Sequence, residues 1–334
     1  MKEVLTLGES MVRLSTQKGN RLSNATLLHL HYGGAEANVA INLSQLGHKV
    51  KHATKLPINN GLSESVVGEL QGHGVDCSNV LYSEGRLGSY YLEVGTGLRP
   101  TNIIYDRAYS TISMMKEIEW DLDKLFDNVS IFHLTGITLA LSEDWQSMGL
   151  TLIKEAKKRD IKISFDMNYR QKMWSAEEAK KTFEQVLPHI DYLSAGKLDA
   201  IHFMDIAEKE DSDWEYYAQN MAEKYPNLQY IYGTNRELRT PNSYKMTGYI
   251  WDSVNSCGVV SSEYKNYTVV DRVGTGDSYT AGVLDGIINK KSLENIVEFA
   301  IASSALKHTV HGDINPFSRT EIDNFIGSTS DVMR

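Results

Sequence analysis

Short apolar runs alternate along this chain with longer stretches whose apolar residues recur every three or four positions. Val4–Leu7 has the character of a buried strand. Ala35–Leu46, closed by Gly47, carries Ala37, Ala40, Ile41 and Leu43 as the apolar positions of a helix. The same reading gives a helix over Ser63–Gln71, a strand at Ile131–Leu134, a helix over Ser142–Arg159, a strand at Ile161–Phe165 and a helix over Ala176–Leu187. A strand at Tyr192–Ser194, a short helix over Lys197–Met204, a helix over Ser212–Tyr225 and a strand at Gln229–Tyr232 follow. Thr275–Asn289, Leu293–Val310 and Thr320–Ile326 close the chain as helices. Strand and helix in alternation predict an α/β fold, with parallel strands and helices on both faces.

Two stretches break that rhythm. Met11–Leu30 and Ser89–Arg107 read as β segments with no helix between their strands. Tyr90, Leu92 and Val94 alternate with Tyr91, Glu93 and Gly95, and Ile103-Ile104-Tyr105 follows the turn at Arg99-Pro100. Such strands predict either ordinary connecting hairpins or a small separate sheet. The second would lie over the carboxyl ends of the main strands, where α/β sheets hold ligands.

Composition narrows the function without naming it. The 334 residues carry 34 Lys and Arg against 43 Asp and Glu, a net charge of −9, which argues against a nucleic-acid-coating protein. A small phosphate ligand needs only a local positive field and stays open. The two cysteines, Cys77 and Cys257, form no CxxC pair and suit a reducing, cytoplasmic setting. No signal peptide or membrane span is expected. The ten histidines show no HExxH motif, which speaks against a catalytic zinc.

The most informative segment is Val269-Val270-Asp271-Arg272-Val273-Gly274-Thr275-Gly276-Asp277, a strand entering a glycine-rich turn and then a helix. Convergent backbone amides and a helix dipole make such a turn an anion cradle. It is neither a GxxxxGK[ST] loop nor a GxGxxG fingerprint. A carboxylate in its first turn would repel a phosphate, so Asp277 is either a helix cap or a base that takes a proton from a substrate hydroxyl. Gly33-Gly34-Ala35-Glu36-Ala37-Asn38 opens another helix with room for close backbone approach, and Asp166-Met167-Asn168-Tyr169-Arg170 ends a strand at the ligand edge.

Taken in order, Gly33-Gly34 with Asn38, Asp166-x-Asn168-x-Arg170 and Asp271-x-x-Gly274-Thr275-Gly276-Asp277 resemble the ribokinase-like (PfkB) carbohydrate kinases over essentially the whole chain. Ser89-Tyr90-Tyr91-Leu92-Glu93 with Tyr105-Asp106-Arg107-Ala108 resembles the 2-keto-3-deoxygluconate kinase branch. The resemblance implies a three-layer α/β/α sandwich with a small β lid, from about 11–32 and 88–108, on one kinase domain. It implies that Asp277 is the general base and that Gly274, Thr275 and Gly276 form the anion hole for the γ-phosphoryl group. Gly34, Asn38, Tyr90, Tyr105, Arg107, Arg170 and Asp313 would contact the sugar, with the two arginines suited to a carboxylate.

Asn168 and Gly233 would contact ATP, although Arg236 stands where the family pattern has a second glycine. Magnesium would accompany the ATP phosphates, with Asp199 in reach through water in place of the family's Glu. A monovalent cation near Asp271 is left open. The reaction implied is ATP-dependent phosphorylation of 2-dehydro-3-deoxy-D-gluconate at its primary hydroxyl. The rivals are a family kinase for a neutral ketose such as fructose or ribose, and a weakly catalytic sugar-binding regulator on the same scaffold. The 18 tyrosines, several in the lid strands, suit a homo-oligomer joined through the lid.

Overall fold

The structure, a computed structural model, describes residues 2–96, 98–210, 213–240 and 243–327. Its strands are β1 (Glu3–Leu7), β2 (Met11–Ser15), β3 (His29–Gly33), β4 (Val50–Pro57), β5 (Val80–Ser83), β6 (Ser89–Glu93), β7 (Asn102–Asp106), β8 (Val129–Thr135), β9 (Lys162–Asp166), β10 (Tyr192–Ser194), β11 (Tyr230–Thr240), β12 (Ser243–Asp252), β13 (Cys257–Val260) and β14 (Tyr264–Tyr267). The α-helices are α1 (Ala35–Gln45), α2 (Gly61–Gly72), α3 (Leu122–Leu125), α4 (Gly136–Leu139), α5 (Glu143–Lys158), α6 (Ala176–Val186), α7 (Lys197–Met204), α8 (Trp214–Lys224), α9 (Thr275–Ile288), α10 (Leu293–Lys307) and α11 (Arg319–Gly327).

The main sheet runs β13-β12-β11-β10-β9-β8-β1-β4-β5, with β14 also paired to β12. From β5 through β11 every pairing is parallel. Side chains alternate between two core slabs. Val4 and Ile131 join α1, α9 and α10 on one face, whereas Leu5, Leu7, Phe132 and Leu134 join Trp145, Leu152 and Phe183 on the other. The expected three-layer α/β/α sandwich is therefore present. Close approach of α9 to α10 depends on small residues: a Cβ on Gly282 would meet the Ala300 Cα at 2.6 Å. Among the described residues, no helix is long and apolar enough to cross a membrane.

The two irregular β stretches form a separate sheet, β3-β2-β6-β7. Its register puts His31, Arg13, Tyr90 and Tyr105 in one cross-strand row, and Leu30, Leu14, Tyr91 and Ile104 in the next. Because the side-chain period is two, the rows face opposite ways. The polar row faces the main body, and the apolar row faces out with Leu30 and Ile104 exposed.

The sequence reading ends the parallel pattern at Tyr232, but β11 continues to Thr240 and returns antiparallel as β12. An antiparallel edge need not be apolar on both faces, so its charged residues hid it from a search for buried runs. Val50–Pro57 and Val80–Ser83 add two strands, β4 and β5, that the periodicity does not predict. The helix expected from Ser212 runs over Trp214–Lys224, and Ser212 itself lies outside the described residues.

Candidate active site

A cavity of about 980 Å³ lies between the inner face of the lid sheet and the carboxyl ends of the main strands. Gly34, Tyr90, Tyr105, Arg107, Asn168, Arg170, Gly274–Asp277 and Asp313 all line it. Residues from 34 to 313 thus converge because parallel strands deliver their following loops to one edge.

The turn before α9 is built on Gly274, whose φ of +78° is costly for a residue with a Cβ. A Cβ there would also lie 1.8 Å from the Asp313 carbonyl oxygen. No side chain caps α9, whereas Asn60, Ser142, Ser175, Asp213 and Ser292 cap α2, α5, α6, α8 and α10. The Thr275 amide donates to the Arg272 carbonyl at 3.4 Å. Gly276 is exposed, and an added Cβ would meet nothing within 4 Å among the described residues. The protein therefore gives no steric reason for that glycine, and the space belongs to the cavity.

Asp277 does not cap its helix. Its Oδ2 accepts a 2.7 Å hydrogen bond from Asn38 Nδ2, across from α1. Burial, with the nearby carboxylates of Asp166 and Glu36 adding to it, pushes Asp277 up to about 7 against the pull of Asn38 and Arg170. Asp166 is likewise pushed up to about 7, chiefly by burial. A base must be ionised to work, so kcat/KM is expected to rise with pH along a limb near 7. A pH–rate profile of the free enzyme checks this; a limb below 5 would mean that Asp277 is not desolvated.

The other expected sugar contacts are already engaged to differing degrees. Asn38 is buried behind Asp277, so it orients that carboxylate rather than lining the cavity. Gly34 is tied to packing, since a Cβ would meet the Glu9 carbonyl oxygen at 2.1 Å. The Tyr90 hydroxyl donates to Asp313 Oδ1, and the rings of Tyr90 and Tyr105 lie 6.3 Å apart. Arg107 is neutralised by buried Glu9, which accepts from its Nε at 2.7 Å and pairs with its Nη2 at 2.5 Å. Its Nη1 faces the Met173 sulfur at 3.3 Å. Arg170 differs: it is exposed, and among the described residues its guanidinium donates only to the neighbouring Tyr169 carbonyl, at 3.3 Å. Of the two arginines, Arg170 therefore has the charge to offer an anionic ligand.

Of the residues expected to contact ATP, Asn168 sits at φ +37°, a conformation Asn tolerates, and its amide donates to Asp166 Oδ1 at 3.2 Å. Gly233 and Asp199 do not line the cavity. A Cβ on Gly233 would meet the Tyr249 hydroxyl at 2.5 Å, and that hydroxyl donates to the Ala195 carbonyl at 2.6 Å. Packing thus accounts for Gly233. Asp199 Oδ2 accepts from the Gly196 amide at 2.8 Å, which occupies one oxygen at the start of α7.

Among the described residues, no group of three or more His, Cys, Asp and Glu side chains is placed to hold a metal. Asp166 and Asp199 are both raised by burial and lie within electrostatic reach of each other. They fit a magnesium ion carried by nucleotide phosphates and held through water. A monovalent cation fits Asp271 poorly, because Arg13 and the Gly312 and Val273 amides already donate to its carboxylate.

Arg13 and Glu9 are the site residues the sequence reading missed. The signal was present in each case. Arg13 is a lone cation in the alternating run Met11-Val12-Arg13-Leu14-Ser15, and Glu9 stands just past the carboxyl end of the first strand.

Comparison with known proteins gives a consistent picture. The family model described as pfkB family carbohydrate kinase matches residues 1–232 and 249–320. The chain is 31% identical over 324 residues to the 2-dehydro-3-deoxygalactonokinase of Haloferax volcanii, covering 97% of this chain and 96% of that one. The crystal structure of a PfkB family carbohydrate kinase from Listeria grayi superposes with a TM-score of 0.93 at 44% identity, covering 98% of this chain and 100% of the other. That of the 2-dehydro-3-deoxygluconokinase from Thermotoga maritima gives 0.93 at 33% identity, again covering 98% and 100%.

Proposed function

The chain belongs to the pfkB family of carbohydrate kinases, and on that premise we propose that it phosphorylates the primary hydroxyl of a 2-dehydro-3-deoxy sugar acid with ATP. The substrate proposed is 2-dehydro-3-deoxy-D-gluconate, and the product its 6-phosphate. One observation carries the reading: Asp277 stands at the uncapped N-terminus of α9, in a cavity where the exposed Arg170 guanidinium feels the carboxylates of Asp166, Asp199 and Asp277 but closes a salt bridge with none of them.

The chemistry follows from that arrangement. Asp277 takes the hydroxyl proton as the sugar oxygen bonds to the γ-phosphorus, while the bond to the bridging β,γ-oxygen breaks and ADP leaves. The first-turn amides of α9 and its dipole hold the charge on the transferred group. Magnesium bound with ATP would neutralise the phosphate oxygens near Asp166 and Asp199. Asn38 fixes the orientation of the base, and the lid excludes water from it. The substrate's carboxylate finds its partner in Arg170.

A coupled ADP-release assay over a sugar panel tests the reading. A charge-assisted hydrogen bond to Arg170 should favour keto-deoxy sugar acids over fructose and ribose by about 10- to 100-fold in kcat/KM. Arg170→Ala should erase that preference and leave neutral sugars nearly as before. Equal use of fructose by the parent would restore the neutral-ketose rival, and nucleotide binding without turnover would favour the regulator. Arg107→Ala is a poorer probe, because it strands the buried Glu9 carboxylate. The Haloferax volcanii relative supports a second reading, in which the galactonate epimer at C4 is the better substrate. Both epimers belong in the panel.

We further place the reaction in the cytoplasm and a second copy of the chain on the lid's outer row of Leu30, Leu14, Tyr91 and Ile104. Leu30 and Ile104 are 46% and 48% exposed there, an apolar pairing surface continuous across four strands. Light scattering after gel filtration should show an oligomer that Leu30→Glu with Ile104→Glu dissociates; a monomeric parent would rule it out.

A further inference from the structure

The groups assigned to chemistry start from two separate glycine turns. Asn38 follows Gly33-Gly34 at the start of α1, and Asp277 follows Gly274 at the start of α9. Their 2.7 Å hydrogen bond therefore depends on how the two turns are spaced. Asp313 is wedged between them. Its side chain lies 2.7 Å from where a Cβ on Gly33 would be, and its carbonyl oxygen 1.8 Å from one on Gly274.

Arg13 holds the wedge. From the inner row of the lid it donates through Nη1 to Asp313 Oδ2 at 3.0 Å and through Nη2 to Asp271 Oδ2 at 2.5 Å. The Gly312 amide donates to that same Asp271 oxygen at 3.1 Å, and Tyr90 holds the other oxygen of Asp313. Arg13 is 1% exposed, and its Nε has no acceptor among the described residues. Removing this buried guanidinium alone would strand the Asp271 and Asp313 carboxylates, so Arg13→Met is expected to lose stability whatever it does to turnover. What Arg13 supplies beyond that is a fixed distance between two carboxylates, which a planar two-pronged donor sets more sharply than a single ammonium.

We propose that Arg13 is a positioning residue for phosphoryl transfer, locking Asp313 between the two glycine turns and so setting Asp277 against Asn38. This rests on the kinase reading of the site. Arg13 touches neither reactant in this account and acts through Asp313.

The test compares the parent with Arg13→Met, Arg13→Lys and Gly33→Ala, which pushes the same wedge from its other side. A displacement of about 1 Å at the reacting groups costs about 100-fold, so Arg13→Met and Gly33→Ala should lose about that much kcat, with KM for ATP within about threefold. Arg13→Lys should recover part of the loss. A crystal structure of Arg13→Met gives a readout independent of turnover: Asn38 Nδ2 and Asp277 Oδ2 should no longer be within hydrogen-bond reach. An unchanged contact, or parental kcat in folded Arg13→Met whatever its Tm, overturns the proposal. If Arg13→Met does not fold, Gly33→Ala and Arg13→Lys decide by the same two readouts. A parent that turns over no sugar in the panel defeats the kinase reading alone, and the crystallographic contact still decides the role of Arg13.

Discussion

Asp277→Asn is expected to cut kcat by about 100- to 10,000-fold, the range for loss of a positioned general base, while sugar affinity stays near that of the parent. The same substitution should stabilise the protein at alkaline pH. Burial raises the Asp277 carboxyl from its ordinary 3.8 to about 7. Below 3.8 the group is protonated in both states, and the folded state keeps its full preference for the protonated form. As pH rises through 7 that contribution is lost, because the folded chain must then hold an ionised carboxylate away from water. Asn is never ionised, so at pH 8 the variant should be the more stable by about 1–3 kcal/mol, a gap that closes as pH falls toward 4. Denaturant melts at several pH values check the sign. Full activity in the variant would remove the base assignment, and a pH-independent stability difference would remove the desolvation account.

Gly274→Ala should be the most damaging change in the turn, and its contrast with Gly276→Ala separates two reasons for glycine. At Gly274 the backbone is left-handed, and a Cβ would sit 1.8 Å from the Asp313 carbonyl oxygen. Backbone cannot yield as a side-chain tip can, so the variant should lose about 2–4 kcal/mol of stability and at least about 100-fold in kcat. At Gly276 nothing among the described residues lies within 4 Å of the added methyl group. Alanine there should leave Tm unchanged or slightly raised, as expected inside a helix, and still lower turnover by crowding the cavity. Equal thermal losses for the two variants would contradict this division of roles.

The parallel half of the sheet was legible because buried strands and amphipathic helices repeat with distinct periods. Leu5 and Phe132 point one way and Val4 and Ile131 the other, as alternation requires. The β11–β12 ribbon was hidden because its residues beyond Tyr232 mix charge with apolar side chains, and antiparallel edges tolerate that mixture. At the site, local motifs marked the loops that reach the cavity, since glycine turns and strand ends are local features. Pairings between distant loops left no such trace. Nothing in the local sequence says that Arg107 is spent on Glu9, that Tyr90 leans on Asp313, or that Gly233 makes room for Tyr249. Each is a long-range contact whose partner is chosen only once the chain has folded.

The ion pair between Arg13 and Asp313 spans 300 residues of chain. At about 5–20 residues per second of synthesis, a ribosome makes Asp313 roughly 15–60 s after Arg13. The nascent lid strand must wait that long, and the turn around Gly274 likewise has no Asp313 carbonyl to pack against until that residue is made. Sheet and helices can form in order behind the ribosome, but the reacting geometry cannot. A nascent chain not yet extended past Asp313 therefore lacks the contact that sets its two glycine turns, and synthesis of that segment is the step that makes catalysis possible.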